Sequence, residues 1–213
     1  MIENSIKNVL IIVAHPDDET LWAGGTILSH PEWNCFVISI CRGTDADRNF
    51  RFYNALKILK AQGVMADLDD GPEQNPLDKS ELDSTILSLV PERLFDLIIT
   101  HNPNGEYTRH LRHEEISKAV IHLWFASQIN AHTLWTFAYH DGGKVFFPKP
   151  MNNAPLQEIL SEEIWEQKYR LITETYGFEK SSWEAKTCPR VEAFAQYRKL
   201  AQVQKELELT KDA

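Results

Sequence analysis

The sequence predicts an α/β fold, with a mostly parallel sheet and helices on both faces. Three observations carry that prediction. Short runs rich in β-branched residues, such as Val9 to Val13 and Asp96 to Thr100, have the composition of strands buried on both sides. Stretches with helical spacing alternate with these runs. Turn residues, mainly Gly, Pro and Asn, separate them. Strands and helices in alternation imply right-handed crossovers and therefore parallel strand pairing.

Each element follows in order. The strand at 9–13 leads to a helix over 19–29. A second strand at 35–40 precedes a loop and a helix near 49–62, which Gly63 is placed to end. A short strand is expected at 64–67. The segment 69–78, with Asp70-Gly71-Pro72 and Asn75-Pro76, reads as loop. A helix over 79–90 stops ahead of Pro91, and a strand follows at 95–100. A histidine-bearing loop then enters a helix over 113–126 whose apolar positions include Ile116, Val120, Leu123 and Trp124. Thr133 to Tyr139 is β-rich and forms another strand. Pro148, Pro150 and Pro155 interrupt the last third, where helical stretches are expected at 155–174 and 189–207. Together these give a single Rossmann-like domain over 1–213, with 140–213 as a C-terminal extension of the same domain.

At 213 residues the chain suits one domain with a sizeable core. A formal charge of -9 and a pI near 5.4 argue against broad binding to nucleic acid or anionic membranes. They leave room for a small anionic substrate, since one arginine can dominate a pocket. Cys35, Cys41 and Cys188 are odd in number and lack metal-finger spacing, so a reduced, cytoplasmic chain with packing cysteines is expected. The N-terminus shows no signal-peptide pattern, and no apolar run approaches the roughly 20 residues of a membrane span. A homo-oligomer remains open.

The chemistry concentrates at two strand ends. His15, Asp17, Asp18 and Glu19 follow the first strand within five residues. In open α/β sheets, ligands bind just beyond the carboxyl ends of strands. One imidazole with several carboxylates there makes half a site for a divalent metal. The bland alternative, that Asp17 and Asp18 only cap the following helix, leaves His15 unexplained. The second half lies after the strand at 95–100. His110 and His113 are three apart, so in a first helical turn they face the same side.

The run Ala14-His15-Pro16-Asp17-Asp18-Glu19, with Gly24-Gly25 in the next helix, resembles the signature of the PIG-L/LmbE-like zinc-dependent de-N-acetylases. Asn102 to His113 resembles that family's second motif, a Gly-bearing loop with His-x-x-His. Arg51 to Ala55, followed by Gly63, is similar to an Arg-x-x-Glu-Ala segment. The matches run from about residue 9 to 125. Two departures stand out. Leu111-Arg112 replaces the frequent Pro-Asp between the histidines, and Asn54 stands where Glu is usual.

The resemblance implies that His15, Asp18 and His113 bind the metal. Two imidazoles and one carboxylate leave a position open for water. It implies that Asp17 is the general base, and that His110, as an imidazolium, stabilises the oxyanion or protonates the leaving amine. Arg51 is a candidate for binding substrate hydroxyls or phosphate. Zinc is expected, with iron(II) possible. The implied reaction removes acetate from an N-acetylglucosamine-type sugar or glycoconjugate, so the partner is a small amino-sugar substrate. Its rivals are an amidase on a larger sugar-linked amide, a noncatalytic sugar- or nucleotide-binding domain, and a phosphoesterase. Glu19 is expected to support the site or cap the helix rather than bind metal. Tyr107 could close over substrate or simply pack. His101, His122, His132 and His140 are expected to be structural or solvent-exposed.

Overall fold

The structure, a computed structural model, describes residues 7–108 and 110–197. Its elements in chain order are β1 (Asn8–Val13), α1 (Asp18–Ser29), β2 (Asn34–Cys41), α2 (Ala46–Ile58), β3 (Gln62–Leu68), α3 (Lys79–Leu89) and β4 (Phe95–Thr100). Then come α4 (Leu111–Phe125), β5 (Ala131–Phe137), the two-residue β6 (Tyr139–His140) and β7 (Lys149–Pro150), and β8 (Leu156–Ile159). The chain continues through α5 (Glu162–Arg170), a π-helical turn over Leu171–Thr175, α6 (Trp183–Thr187) and β9 (Val191–Tyr197).

The main sheet has the order β3-β2-β1-β4-β5-β9-β8. β1 to β5 pair in parallel, and β9 and β8 add antiparallel strands at one edge. Strand alternation explains the apolar composition of β1. Val9, Ile11 and Val13 pack with Leu21, Trp22 and Phe52 of α1 and α2 on one face. Leu10 and Ile12 pack with Ile86, Ile116 and Val120 of α3 and α4 on the other. Both faces are dry, so neither set of positions tolerates polar residues. Each such side chain contributes about 1.5–3 kcal/mol by burial.

Strand order reverses between β1 and β4. α1 and α4 therefore leave the sheet on opposite faces, and a crevice opens where their first turns diverge. The register Ile12↔Thr100 sets the two strand ends level, so the segments from Ala14 and from His101 face each other.

Three expectations need correction. Gly63 does not end the second helix. α2 stops at Ile58, and Lys60 supplies the positive φ of 53° at the turn. Gly63 lies inside β3, where an added Cβ would come within 2.4 Å of the Val37 carbonyl oxygen, so the glycine permits strand contact. The helix expected over 189–207 is instead a strand at 191–197, and positions 198–207 lie outside the described residues. The open edge of β5 takes this segment, and such pairing overrides weak local preference. Likewise the 155–174 stretch begins as β8 before turning helical. β9 is also fixed by charge. Buried Glu192 accepts from the Gly25 and Thr26 amides at 2.8 and 2.6 Å and pairs with buried Lys168 at 2.7 Å. The three cysteines are free and buried, as expected of packing residues.

Candidate active site

Asp18 opens α1 and is the hub of the crevice. Its Oδ2 lies 3.1 Å from His15 Nδ1 and 3.3 Å from His113 Nε2. Those two nitrogens are 3.4 Å apart. The three atoms form a nearly equilateral triangle from two strand ends. Bonds of about 2.0–2.1 Å to a tetrahedral zinc would separate adjacent ligands by about 3.3 Å. The donor set present therefore fits such an ion in chemistry and in spacing.

The outer nitrogens of both histidines meet carboxylates. His113 Nδ1 is 2.6 Å from Glu106, and His15 Nε2 comes within 3.2 Å of Asp70 Oδ1, an ion-pair approach that does not reach hydrogen-bond geometry. Carboxylates behind ligand histidines fix ring orientation and tautomer at metal sites. His101 also approaches Asp18, at 3.5 Å, and stacks on His113 with ring centroids 3.8 Å apart. Its Nε2 already accepts from the Ala14 amide at 2.9 Å, and its Nδ1 faces Glu106 at 3.1 Å. Both nitrogens are occupied, so His101 supports the site without offering it a lone pair.

Electrostatics agree with a cation locus. Burial opposes charge on His15, but Asp18 and Asp70 outweigh it and lift the pKa to about 9. Burial likewise opposes charge on His113, and Asp18 with Glu106 raises it to about 10. Asp18 is held well below the usual carboxylate range by His113 and His101 despite its burial. Glu106 falls to about 2 by the same balance against His101 and His113.

Asp17 sits beside this cluster with φ 147° and ψ -27°, a conformation strained for any L side chain. Its side chain makes no capping bond in α1, unlike Asp45 and Asp78 at the starts of α2 and α3. The capping reading therefore fails for Asp17. The carboxylate instead lines a cavity of about 180 Å³ with His15, Arg48, Tyr107, His110 and Trp183. Burial first, then the charge of Asp18, pushes its pKa well above the ordinary aspartate value. Arg48 stands 3.3 Å away. Glu19 bonds the Asp17 amide, Thr20 and Tyr176 beneath, and burial lifts its pKa to about 7.

His110 ends the loop before α4 and stacks on His113 with centroids 4.4 Å apart. Its Nδ1 is buried with no hydrogen-bond partner among the described residues. Burial, then the neighbouring His113 and His15, depresses its pKa to about 3. The expectation of an imidazolium here is corrected. Burial, reinforced by its cationic neighbours, keeps the ring neutral at pH 7 in the metal-free protein.

The structure thus brings His15, Asp17, Asp18, His110 and His113 together. Arg51 is not part of the cavity lining. Its guanidinium bonds Asp47 at 2.7 Å and the Thr175 carbonyl at 3.4 Å. Arg48, one turn earlier on α2, lines the cavity instead. His122, His132 and His140 are exposed away from the cluster. The sequence reading missed Arg48, Asp70 and Glu106 and undervalued His101. His101 was the most readable of these, being the first residue after an apolar strand. Trp183 and Glu184 come from α6 and carried no sequence signal.

A sheet with a reversal in strand order and a His/carboxylate cluster at that point defines the class as an open α/β fold with its polar cluster at the strand ends. Residues 10–124 match the family model described as PIG-L: GlcNAc-PI de-N-acetylase, and the chain belongs to that family. An uncharacterized protein of Acanthamoeba polyphaga mimivirus is 28% identical over 144 residues, covering 61% of this chain. The alignment likewise spans 61% of that relative's length. Among solved structures, N,N'-diacetylchitobiose deacetylase from Pyrococcus horikoshii superposes with a TM-score of 0.69 at 15% identity, over 90% of this chain and 84% of its own. The 4-carboxy-2-hydroxymuconate hydratase from Pseudomonas putida gives 0.59 at 16% identity, over 90% and 96%. One sheet architecture thus serves a deacetylase and a hydratase, and fold alone does not choose between them. No helix among the described residues is long and apolar enough to cross a membrane.

Proposed function

We propose that this chain is a metal-dependent hydrolase that removes acetate from an N-acetylglucosamine-type sugar or glycoconjugate and leaves a free amine. The observation that carries this reading is the triangle of His15 Nδ1, Asp18 Oδ2 and His113 Nε2, with sides of 3.1, 3.3 and 3.4 Å, beside a carboxylate that does not cap its helix. Family membership supports the same chemistry. His15, Asp18 and His113 would hold zinc or iron(II). When bound, the ion supplies Lewis acidity toward an amide oxygen and lowers the pKa of water.

The remaining steps belong to the chain. Asp17 takes the proton of the attacking water and delivers it to the departing amine nitrogen. Its raised pKa makes it a stronger base than an ordinary aspartate. Arg48 orients the carboxylate so that one oxygen faces the cavity. His110 acts as a neutral N–H donor to the developing oxyanion, a role that needs no imidazolium. Tyr107 and Trp183, with ring centroids 4.8 Å apart, wall the cavity.

Tyr107, Trp183 and Glu184 also line a neighbouring groove of about 900 Å³. Its far wall includes Val145 and Phe147, 80% and 44% exposed. A volume of this size next to a small polar cavity suits a substrate whose amide-bearing sugar carries a larger apolar group. β8 and β9 complete the sheet begun by the N-terminal strands, which supports reading 1–213 as one domain.

Zinc-loaded protein incubated with N-acetylglucosamine and its p-nitrophenyl glycoside, with free amine followed by fluorescamine, tests the proposal. Amine release that disappears in Asp17→Asn is the expected result. Sugar binding without turnover, or no amine from any N-acetylated sugar, refutes it and favours a binding protein or a lyase-type reaction.

A further inference from the structure

Arg112 stands between the two histidines of the second motif, where the sequence departs from the family pattern. Its side chain is fully buried, yet it makes no contact with the cavity. Four interactions absorb it instead. Nε donates to the Asp69 carbonyl at 2.5 Å, and one terminal nitrogen donates to the Asn75 carbonyl at 2.7 Å and to the Asp69 carboxylate at 3.2 Å. The other terminal nitrogen meets Glu115 at 2.5 Å. Glu115 in turn accepts from the Leu77 amide at 2.9 Å. One guanidinium and one carboxylate on α4 thereby clamp the β3–α3 loop at Asp69, Asn75 and Leu77.

The residue inside that clamp is Asp70, whose Oδ1 lies 3.2 Å from His15 Nε2. Arg42 also touches Asp70, at 3.1 Å, but Arg42 is 48% exposed. A solvent-exposed ion pair holds a loop weakly. The fork is the stronger restraint, because the Arg112 guanidinium is fully buried and losing its partners would leave N–H donors of a charged group unpaired out of water. We propose that Arg112 is a positioning residue that fixes the 69–77 loop and so presents Asp70 to the outer nitrogen of His15. The inference rests on reading His15 as a metal ligand. It assigns a role to a residue that touches neither metal nor substrate. It also explains the residue type. A lysine has one donor group and cannot span two carbonyls and a carboxylate as a planar fork does.

The test is a double-mutant cycle read by zinc affinity, using competition with a chromophoric chelator. Carboxylates behind ligand histidines contribute about 10–100-fold to metal affinity. Asp70→Asn and Arg112→Lys should each weaken zinc binding within that range. The double variant should bind no more weakly than Asp70→Asn alone, since both act through one contact. A double variant that loses the product of the two single effects overturns the proposal, as does Arg112→Lys with parental affinity. If Arg112→Lys does not fold, Glu115→Gln loosens the same clamp and must weaken zinc binding in the same direction. In metal-free protein, the ¹⁵N imidazole shifts of His15 should move alike in the Asp70 and Arg112 variants. If the parent binds no zinc, the functional proposal fails, and these shifts alone decide the positioning role. Unchanged shifts in the Arg112 variant reject it.

Discussion

Zinc binding should expel about two protons, and its affinity should climb steeply with pH. The prediction follows from what each ring nitrogen faces. His113 has Glu106 at 2.6 Å on one side and Asp18 at 3.3 Å on the other. His15 has Asp18 at 3.1 Å and Asp70 at 3.2 Å. With carboxylates at both nitrogens, each ring is stable as an imidazolium, and the pKa values rise to about 10 and about 9. At pH 7 the protons on His15 Nδ1 and His113 Nε2 point at the place a metal would take. A ligand nitrogen must lose its proton, so metal binding is linked to proton release. Below the lower of the two pKa values, each pH unit should raise the apparent affinity by about 100-fold, or about 2.7 kcal/mol. The slope should halve between about 9 and 10 and then vanish. Calorimetric titration in buffers of different ionisation enthalpy counts the protons directly. A release near zero at pH 7, with affinity flat from pH 6 to 8, would show that the rings are neutral and that the carboxylates do not act as argued.

Three further outcomes follow. His110→Ala should lower kcat by about 10²–10³-fold with unchanged zinc content, because the interaction exists mainly in the transition state. Loss of metal in that variant would instead make His110 a ligand. Burial disfavours charge on His110, and a bound dication would oppose its protonation as the charges of His113 and His15 do without metal, so the rate should show no titration of this group between pH 5 and 8. A loss of rate across that range that vanishes in His110→Ala would contradict this. Phe147→Ser should lower kcat/KM for an octyl or p-nitrophenyl N-acetylglucosaminide by about 10-fold while leaving free N-acetylglucosamine unaffected, and equal losses on both would remove the groove from substrate recognition.

The legible parts of this chain were the ones with local causes. β1 and β4 announced themselves because burial on both faces excludes polar residues along the whole run. His15, Asp18 and His113 were readable because their types and strand-end placement need no knowledge of the fold beyond the crevice rule. Asp70 and Glu106 were not. Each is one acid in a loop, and its meaning comes only from the histidine it meets across the crevice. Arg48 and Arg51 are one turn apart on α2, and sequence cannot say which of them the helix turns toward Asp17. The C-terminal third failed for a different reason. Val191 to Tyr197 is short and carries mixed periodicity, so the free edge of β5 decided its structure rather than its own preferences.

Asp17 joins fold and chemistry in one last prediction. Its φ of 147° costs about 1–3 kcal/mol, and its buried carboxyl resists ionisation. The sign of the second cost follows from its pKa, which is raised in the folded state. Above the ordinary aspartate value of 3.8 the unfolded chain ionises freely while burial opposes ionisation in the folded chain, so the folded state loses stability as pH rises. Asp17→Asn removes that penalty and should stabilise metal-free protein at pH 7, with the gain fading as pH falls below 3.8. Asp17→Gly also relieves the backbone. A glycine gives up about 0.5–1 kcal/mol to unfolded-state entropy, so its net advantage over asparagine should be about 1 kcal/mol. Both variants should lose about 10²–10⁴-fold in rate, the usual contribution of a general base. Urea unfolding of the metal-free proteins and amine release by the zinc-loaded ones measure the two effects separately. A glycine variant no more stable than the asparagine variant would mean that the turn stores no strain. An asparagine variant keeping more than about a tenth of the rate would mean that Asp17 is not the base. If both effects appear, the residue that weakens the fold most at this strand end is the one that the reaction requires, and the strained turn is explained by the position it gives the carboxylate.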